Sequence, residues 1–500
     1  MMRKLFPILT LLALWACNGN SGEKDPSGQE VTKPAVITVS PYTMTVVQEG
    51  GSYEVTVSAP SRPKLEGLPE WVKLTDGTFK DYSITFGLAV ASNATSETRT
   101  ATVIVSATGA PDVDFTITQE GIESNAQNPG TDPSGWENAA AAARHMGAGW
   151  NLGNTLESNS GSVDNMWIEA YSKREPSDYE TAWGQPVTTR ALIHMFKEAG
   201  FGAIRVPVTW YPHMGTVTVA GTSWDMSTWT GYDVDPVWMA RVKEVVGYVL
   251  DEGLYCILNV HHDTGDATTA WLRADKVVYE SVRERYCSLW TRIATEFASC
   301  GEKLLFEGFN EMLDARGSWN GPASTEAYEV INLYNADFVA TVRATGGNNV
   351  HRNLILNTYC AGPNPECLTA LRLPEDVVEN HLLAEVHSYS PYRFAFDNDN
   401  PKNNFDAACE TEVKGIVENL NSHLVSKGIP CVIGEYGCTS ARAEAEMAKQ
   451  AACYVSTAAK YDIPCFYWMV LSEGADRSVP KWSKATLKDA ILKAYNDNKN

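Results

Sequence analysis

Between Cys17 and Cys256 the chain contains no cysteine. A disulfide framework of the kind that staples small secreted domains is therefore excluded from the first half of the 500 residues. Of the later cysteines, Cys256, Cys431 and Cys465 lie inside apolar runs, as buried thiols do. No CxxC pair or His-Cys cluster suggests zinc, and one or two disulfides among Cys287, Cys300, Cys360, Cys367, Cys409 and Cys438 stay open. A phosphate-binding loop, a dinucleotide fingerprint, an HExxH pair and a serine nucleophile elbow are also missing, so no cofactor or metal is expected. Positive charge is scarce: 40 Lys and Arg face 61 Asp and Glu, and a formal net charge of -21 repels nucleic acid and anionic lipid. A neutral polymer fits such a surface better, and 15 Trp and 21 Tyr supply flat rings suited to stacking on sugars.

The apolar run at residues 5–15 follows Arg3 and Lys4 and is too short to span a bilayer, which is the pattern of an export signal. Its end, Leu14, Trp15, Ala16, Cys17, resembles the lipobox of bacterial lipoproteins. That resemblance implies a signal over residues 1–17, lipidation of Cys17 and attachment through acyl chains alone, with the protein facing outward from the outer membrane. Residues 18–31 are polar and rich in Gly, Ser and Pro, as expected of a disordered tether.

Residues 32–122 carry short alternating or β-branched runs separated by turn residues, which predicts a small all-β sandwich. The stretches LPEWVKL, ETRTATVIVSA and FTITQEG resemble a BACON-type domain, for which a spacer role and glycan binding are both open. Trp71 reads as core. A Pro/Gly/Asn/Ser linker, residues 123–135, leads to a different pattern over residues 136–500. Eight strand-like runs alternate there with helical ones, predicting a (β/α)8 TIM barrel whose chemistry sits where the strands end.

Two of those runs end in a carboxylate, LLFEGFNEM in Glu311 and CVIGEYG in Glu435. Carboxylates at the ends of two buried strands suit acid/base work on a glycosidic bond. Asn154, Arg205, His261, His262, Asn310, His387, Tyr389 and Trp468 stand at further strand ends. So many polar and aromatic residues on one rim are hard to reach by packing alone.

The motifs GWNLGNTLES, ETAWGQPVTT, IRVPVTW, LYCILNVHHD, LLFEGFNEM, EVHSYSP and VIGEYG resemble the series of glycoside hydrolase family 5, nearest its endo-β-1,4-glucanase branch that includes xyloglucanases. The resemblance implies Glu311 as acid/base, Glu435 as nucleophile and Asn310 as partner of the sugar 2-hydroxyl. It gives Arg205 and Tyr389 to the nucleophile, and His261, His387 and Trp468 to the cleaved sugar, with His262 extending the set. The expected partner is a β-linked polysaccharide and the expected state a monomer. An endo-β-1,4-mannanase and an inactive glycan-binding lipoprotein are the rivals.

Arg205 and Tyr389 would lower the Glu435 pKa by charge and hydrogen bond, while apolar walls would keep Glu311 protonated. Trp167, Trp183, Trp210, Trp224 and Trp229, on loops after the first two strands, are expected to line an open cleft. Asp314, Arg316 and Trp319 follow the acid/base without an assigned role.

Overall fold

Strict alternation builds the amino-terminal unit: Ser83–Val90 buries every second side chain, so Ile84, Phe86, Leu88 and Val90 form one face of an apolar layer. The computed structural model describes residues 33–46, 50–93, 98–119, 135–469 and 475–499. It divides into two units, Met1–Asn128 and Pro129–Asn500. The signal, Cys17 and the tether lie outside the described residues, as do residues 123–134 of the linker. In the first unit one four-stranded sheet runs Thr38–Ser40, Gly51–Ser58, Ser83–Val90, Val72–Thr75, and the other Thr43–Val46, Ala110–Gln119, Arg99–Ala107, Lys64–Glu66. Val55, Val57 and Phe86 of the first sheet share a core with Val103, Val105, Phe115 and Ile117 of the second. This is the expected sandwich. Two of its strands, Lys64–Glu66 and Val72–Thr75, are short, mostly exposed and illegible as alternating runs. Trp71 packs against the core and carries the Arg99 guanidinium 4.4 Å above its ring.

The second unit is a closed barrel of eight parallel strands, as the sequence predicts. They are β1 (Ala148–Asn151), β2 (Ala203–Val206), β3 (Tyr255–Asn259), β4 (Leu304–Glu307), β5 (Leu354–Asn357), β6 (Leu382–Ser388), β7 (Cys431–Tyr436) and β8 (Cys465–Trp468). Every residue of these strands is buried, since one face meets the outer helices and the other the barrel interior. The interior is layered. Ala203, Ile257, Leu305, Ile355, Leu383, Val432 and Phe466 pack as an apolar floor against Ala139, Ala142, Ala143 and Met146 of the helix Ala139–Met146. That helix opens with five alanines, which let it lie close across the strand starts, and the Asn138 side chain caps it by accepting from Ala141 N–H at 3.0 Å.

Two residues further along the strands the inward positions turn polar: Asn151, Arg205, Asn259, Glu307, Asn357 and Glu385, all fully buried. The barrel therefore carries a wet-chemistry layer on a dry floor. Several strands stop earlier than expected: β1 ends at Asn151, β2 at Val206 and β4 at Glu307, so Asn310 and Glu311 stand in the loop beyond β4, past Gly308, which still donates its N–H to the Ile355 carbonyl.

Candidate active site

Arg205, at the third position of β2, points into the barrel and is completely buried, where an unpaired guanidinium would be prohibitively costly. It is not unpaired. Its Nε and Nη2 donate to the two oxygens of Glu307 at 2.7 Å each, and Nη1 donates to Glu435 Oε1 at 2.7 Å and to Asn151 Oδ1 at 3.1 Å. Nη2 also donates to Asn310 Oδ1 at 2.9 Å, and a third carboxylate, Glu385, lies 3.4 Å from Nε. One cation thus ties β1, β2, β4, β6, β7 and the loop after β4 to a single point.

Glu435 is held at both oxygens: Oε1 by Arg205 and Oε2 by the Tyr389 hydroxyl, which donates at 2.7 Å. The sequence predicts a depressed carboxyl there, and the structure corrects this. Both bonds exist, but burial outweighs the pull of His387 and Arg205, and the Glu435 pKa is raised. Glu311 is the more open of the two carboxylates. Its side chain is 22% exposed and its Oε1 lies 2.8 Å from His387 Nδ1. Glu311, His387 and Glu435 each offer an atom within 4.8 Å of the others. Such a set has metal-ligand types, yet these atoms already face one another, Arg205 and Tyr389.

Two of the site histidines, His387 and His261, are shifted in opposite directions. His387 has carboxylates at both nitrogens, Glu311 at Nδ1 and Glu385 at Nε2, 3.3 Å away. Burial opposes its charge, but Glu435, Glu311 and Glu385 together lift it to about 10. His261 is the reverse: burial, then His262 and Arg205, push it well below its ordinary value. Its Nδ1 lies 3.0 Å from the Asn259 amide, which also donates to Glu307, and its Nε2 is 3.9 Å from Glu435.

Trp468, 8% exposed, stacks on His261 with ring centres 5.8 Å apart and planes 10° apart. Gly153 leaves room for it, since a Cβ there would stand 2.8 Å from the indole. His262 meets His261 at 4.5 Å and Trp183 at 5.5 Å, so β8, β3 and the loop after β1 make one aromatic wall.

All the strand-end residues singled out in the sequence except Asn154 meet here. Asn154 lies in the left-handed region at φ 58°, gives its N–H to Glu157, and β1 reaches the cluster through Asn151 instead. Of the five cleft tryptophans, Trp183 borders His262, but Trp210, Trp224 and Trp229 are buried. Trp210 donates to the Asn259 carbonyl at 2.9 Å, and Trp229 packs on Trp271 beneath Arg285, so these rings are core. Trp167 is partly buried against the same core. Asp314 accepts from the N–H groups of Arg316, Ser318 and Ala323 and so shapes its own loop, which presents Trp319 at 46% exposure beside Asp266.

The residues missed were Asn151, Asn259, Glu307, Asn357 and Glu385. Their signal is a repeated ending, apolar-any-polar, in Ile257-Leu258-Asn259, Leu305-Phe306-Glu307, Ile355-Leu356-Asn357 and Leu383-Ala384-Glu385. Burial pushes Glu307 up to about 7 against the pull of Arg205. Gly434 belongs to the same design: a Cβ there would fall 1.5 Å from Glu385 Oε1.

Residues 167–474 match the family model described as Cellulase (glycosyl hydrolase family 5), and residues 65–120 match the BACON model. Endoglucanase A of Clostridium longisporum is 34% identical over 371 residues, covering 71% of this chain and 66% of its own length. The xyloglucan-specific endo-β-1,4-glucanase of Bacteroides ovatus is 32% identical over 418 residues, 78% of this chain and 75% of its own. Among solved structures, a family 5 enzyme of Prevotella bryantii B14 in complex with a xyloglucan tetradecasaccharide superimposes with a TM-score of 0.64 at 40% identity, covering 72% of this chain and 99% of that one.

Proposed function

The chain belongs to glycoside hydrolase family 5, and on that footing we propose that it is a retaining endo-β-1,4-glucanase acting on plant β-glucan, with xyloglucan among its substrates. The observation that carries the reading is the pairing of Glu311 with Glu435. An oxygen of each lies within 4.8 Å of the other. Direct attack needs carboxyls about 5–5.5 Å apart, and an intervening water needs about 6.5–9.5 Å.

Glu435, fixed at both oxygens, attacks the anomeric carbon while Glu311 gives its proton to the leaving glycosidic oxygen. Water then enters on the side the leaving sugar vacated. Glu311 takes its proton, and the bond between Glu435 and the sugar breaks with the original β configuration restored. Arg205 and Tyr389 orient the nucleophile and bear its charge. Asn310, fixed by Arg205, faces the sugar 2-hydroxyl, and Trp468 with His261 forms the floor of that subsite, with His262 at its edge. Trp319, on the acid/base loop and nearly half exposed, is the platform for the leaving side.

Digestion of xyloglucan, barley β-glucan, carboxymethylcellulose and galactomannan, with products sized over time, tests the substrate. Early loss of chain length on glucans is expected, whereas galactomannan as sole substrate would mean a mannanase. Proton NMR of the first products should show the β-anomer, and an α-anomer appearing first would overturn the role of Glu435.

The enzyme is further read as a monomer held at the outer surface by lipid on Cys17. Cys17→Ala should move it from the membrane fraction to the soluble one, and an unchanged distribution would end that reading.

A further inference from the structure

Two exposed aromatic rings adjoin the catalytic rim. After β6 the chain makes one helical turn, Tyr392–Ala395, closed by the Phe396 N–H donating to the Tyr392 carbonyl at 2.8 Å. Residues four apart share a helix face, and the rings of Tyr392 and Phe396 accordingly stand together with centres 6.2 Å apart. Phe394 and Ala395 take the other face and are fully buried. The outward face of such a turn is ordinarily polar. Here Tyr392 is 67% exposed and Phe396 40%.

The pair is continuous with the site. The Phe396 ring lies 4.6 Å from that of Tyr389, whose hydroxyl holds Glu435. It is also held stiffly. Arg442, on the loop after β7, is buried; its Nε donates to the Phe394 carbonyl at 2.8 Å, and its Nη2 to the carbonyls of Asp397 at 2.7 Å and Arg393 at 3.3 Å. The Thr439 N–H donates to the Ala395 carbonyl at 2.9 Å. A guanidinium withdrawn from water thus fixes a turn whose outward face is aromatic.

We propose that Tyr392 and Phe396 are a second stacking surface for the sugars on the leaving side of the scissile bond, with Phe396, next to Tyr389, taking the nearer sugar. The proposal deepens the glucanase reading and rests on it. The order of strands gives the side. Trp468, His261, His262 and Trp183 belong to β8, β3 and the loop after β1, a half of the mouth centred on β1 and β2, and β6 stands opposite β2 in the closed ring. The proton for the leaving oxygen comes from Glu311, which is paired with His387 of β6, so the departing chain lies toward that strand. Sugars offer apolar C–H faces to flat rings, and rings fixed before binding lose little freedom in taking them. Contacts with sugars beyond the bond then hold it in place over Glu435 and Glu311.

The test compares xyloglucan with β-cellotriosyl fluoride, which has no sugar beyond the bond that breaks. Full-length wild-type enzyme is set beside Tyr392→Ala, Phe396→Leu and the double variant; leucine keeps an apolar cover on Tyr389 and removes the flat face. The fall in kcat/KM on xyloglucan should exceed the fall on the fluoride by about 3–10-fold in each single variant and by more in the double. Arg442→Met, which keeps both rings but frees their turn, should move the ratio of the two kcat/KM values the same way. A ratio left at its wild-type value in all these variants, whether both rates fall together or neither falls, would overturn the stacking surface, as would a ratio that moves the opposite way. Wild-type enzyme inert on both substrates would instead end the glucanase reading, and the stacking surface with it.

Discussion

Arg205 and Glu435 are joined by a single 2.7 Å bond, Nη1 to Oε1, while the other edge of the same guanidinium is taken up by Glu307. Glu435 is therefore positioned, through Arg205, by a carboxylate that belongs to a different strand. Lysine cannot reproduce this, since one ammonium cannot face both acids in plane. Arg205→Lys should lower kcat by about 10²–10³-fold with a smaller change in KM, and should destabilise the barrel by about 3–5 kcal/mol. Steady-state kinetics and urea unfolding measure both, and a variant with normal kcat would show that Glu435 needs no such anchor.

Losing either carboxylate should leave the fold intact but differ in kind. With an activated aryl glycoside, Glu311→Ala is expected to be rescued by azide and to release a β-glycosyl azide, because the covalent intermediate still forms. In Glu435→Ala azide can enter only on the face the carboxylate vacated, so the product is the α-azide. Without azide, removal of the acid/base should lower turnover on unactivated glucan by about 10²–10⁴-fold. Exchanged stereochemistry between the two variants would reverse the roles.

His387 gives the site a pH signature. Its pKa is raised from 6.5 to about 10 on folding, so the folded state binds its proton more tightly than the unfolded chain. The resulting stabilisation is fully present below about 6.5, declines as pH rises, and is lost above about 10. The unfolding midpoint of the native enzyme should therefore fall more steeply between pH 7 and 10 than that of His387→Asn. Parallel curves would mean that the imidazole is not the group that titrates.

Gly434→Ala should act on catalysis at one remove. The new methyl would occupy the place of Glu385 Oε1, and Glu385 is what faces His387 Nε2 and accepts from Asn357 at 3.1 Å. Overpacking of this kind costs about 1–3 kcal/mol, and the displaced carboxylate should lower kcat as well. Gly434→Ala with both stability and kcat unchanged would show that Glu385 can move freely.

The barrel and the sandwich were legible because each leaves a period in the sequence, strand and helix in alternation for one and every second residue for the other. The catalytic rim was legible for a different reason: polar residues such as Glu311, Glu435 and His387 interrupt runs that are otherwise apolar. Glu307 and Glu385 interrupt the same runs, but each is followed shortly by a more conspicuous residue, Glu311 or His387, which draws the eye past it. Their role lies in pointing inward toward Arg205, and only the register of the closed barrel shows that. The tryptophans of the second loop misled because an indole that can stack on sugar can equally stack on another indole. The sign of the Glu435 shift depended on how deep the carboxyl lies, which spacing along a chain does not encode.

The alanine helix across the barrel floor sets where this enzyme can be cut and joined. The family match begins at residue 167, yet Glu137 accepts from the Tyr255 hydroxyl at 2.6 Å, donates its own N–H to Glu302 at 2.9 Å and accepts at its carbonyl from the Asn353 amide, and β1 itself ends at Asn151. A piece excised at the family boundary would lack one stave and the plug, and would leave Ile257, Leu305 and Leu383 facing water. The natural seam for exchanging modules falls near residue 135, so a recombination that grafts this barrel behind another partner must carry the floor with it.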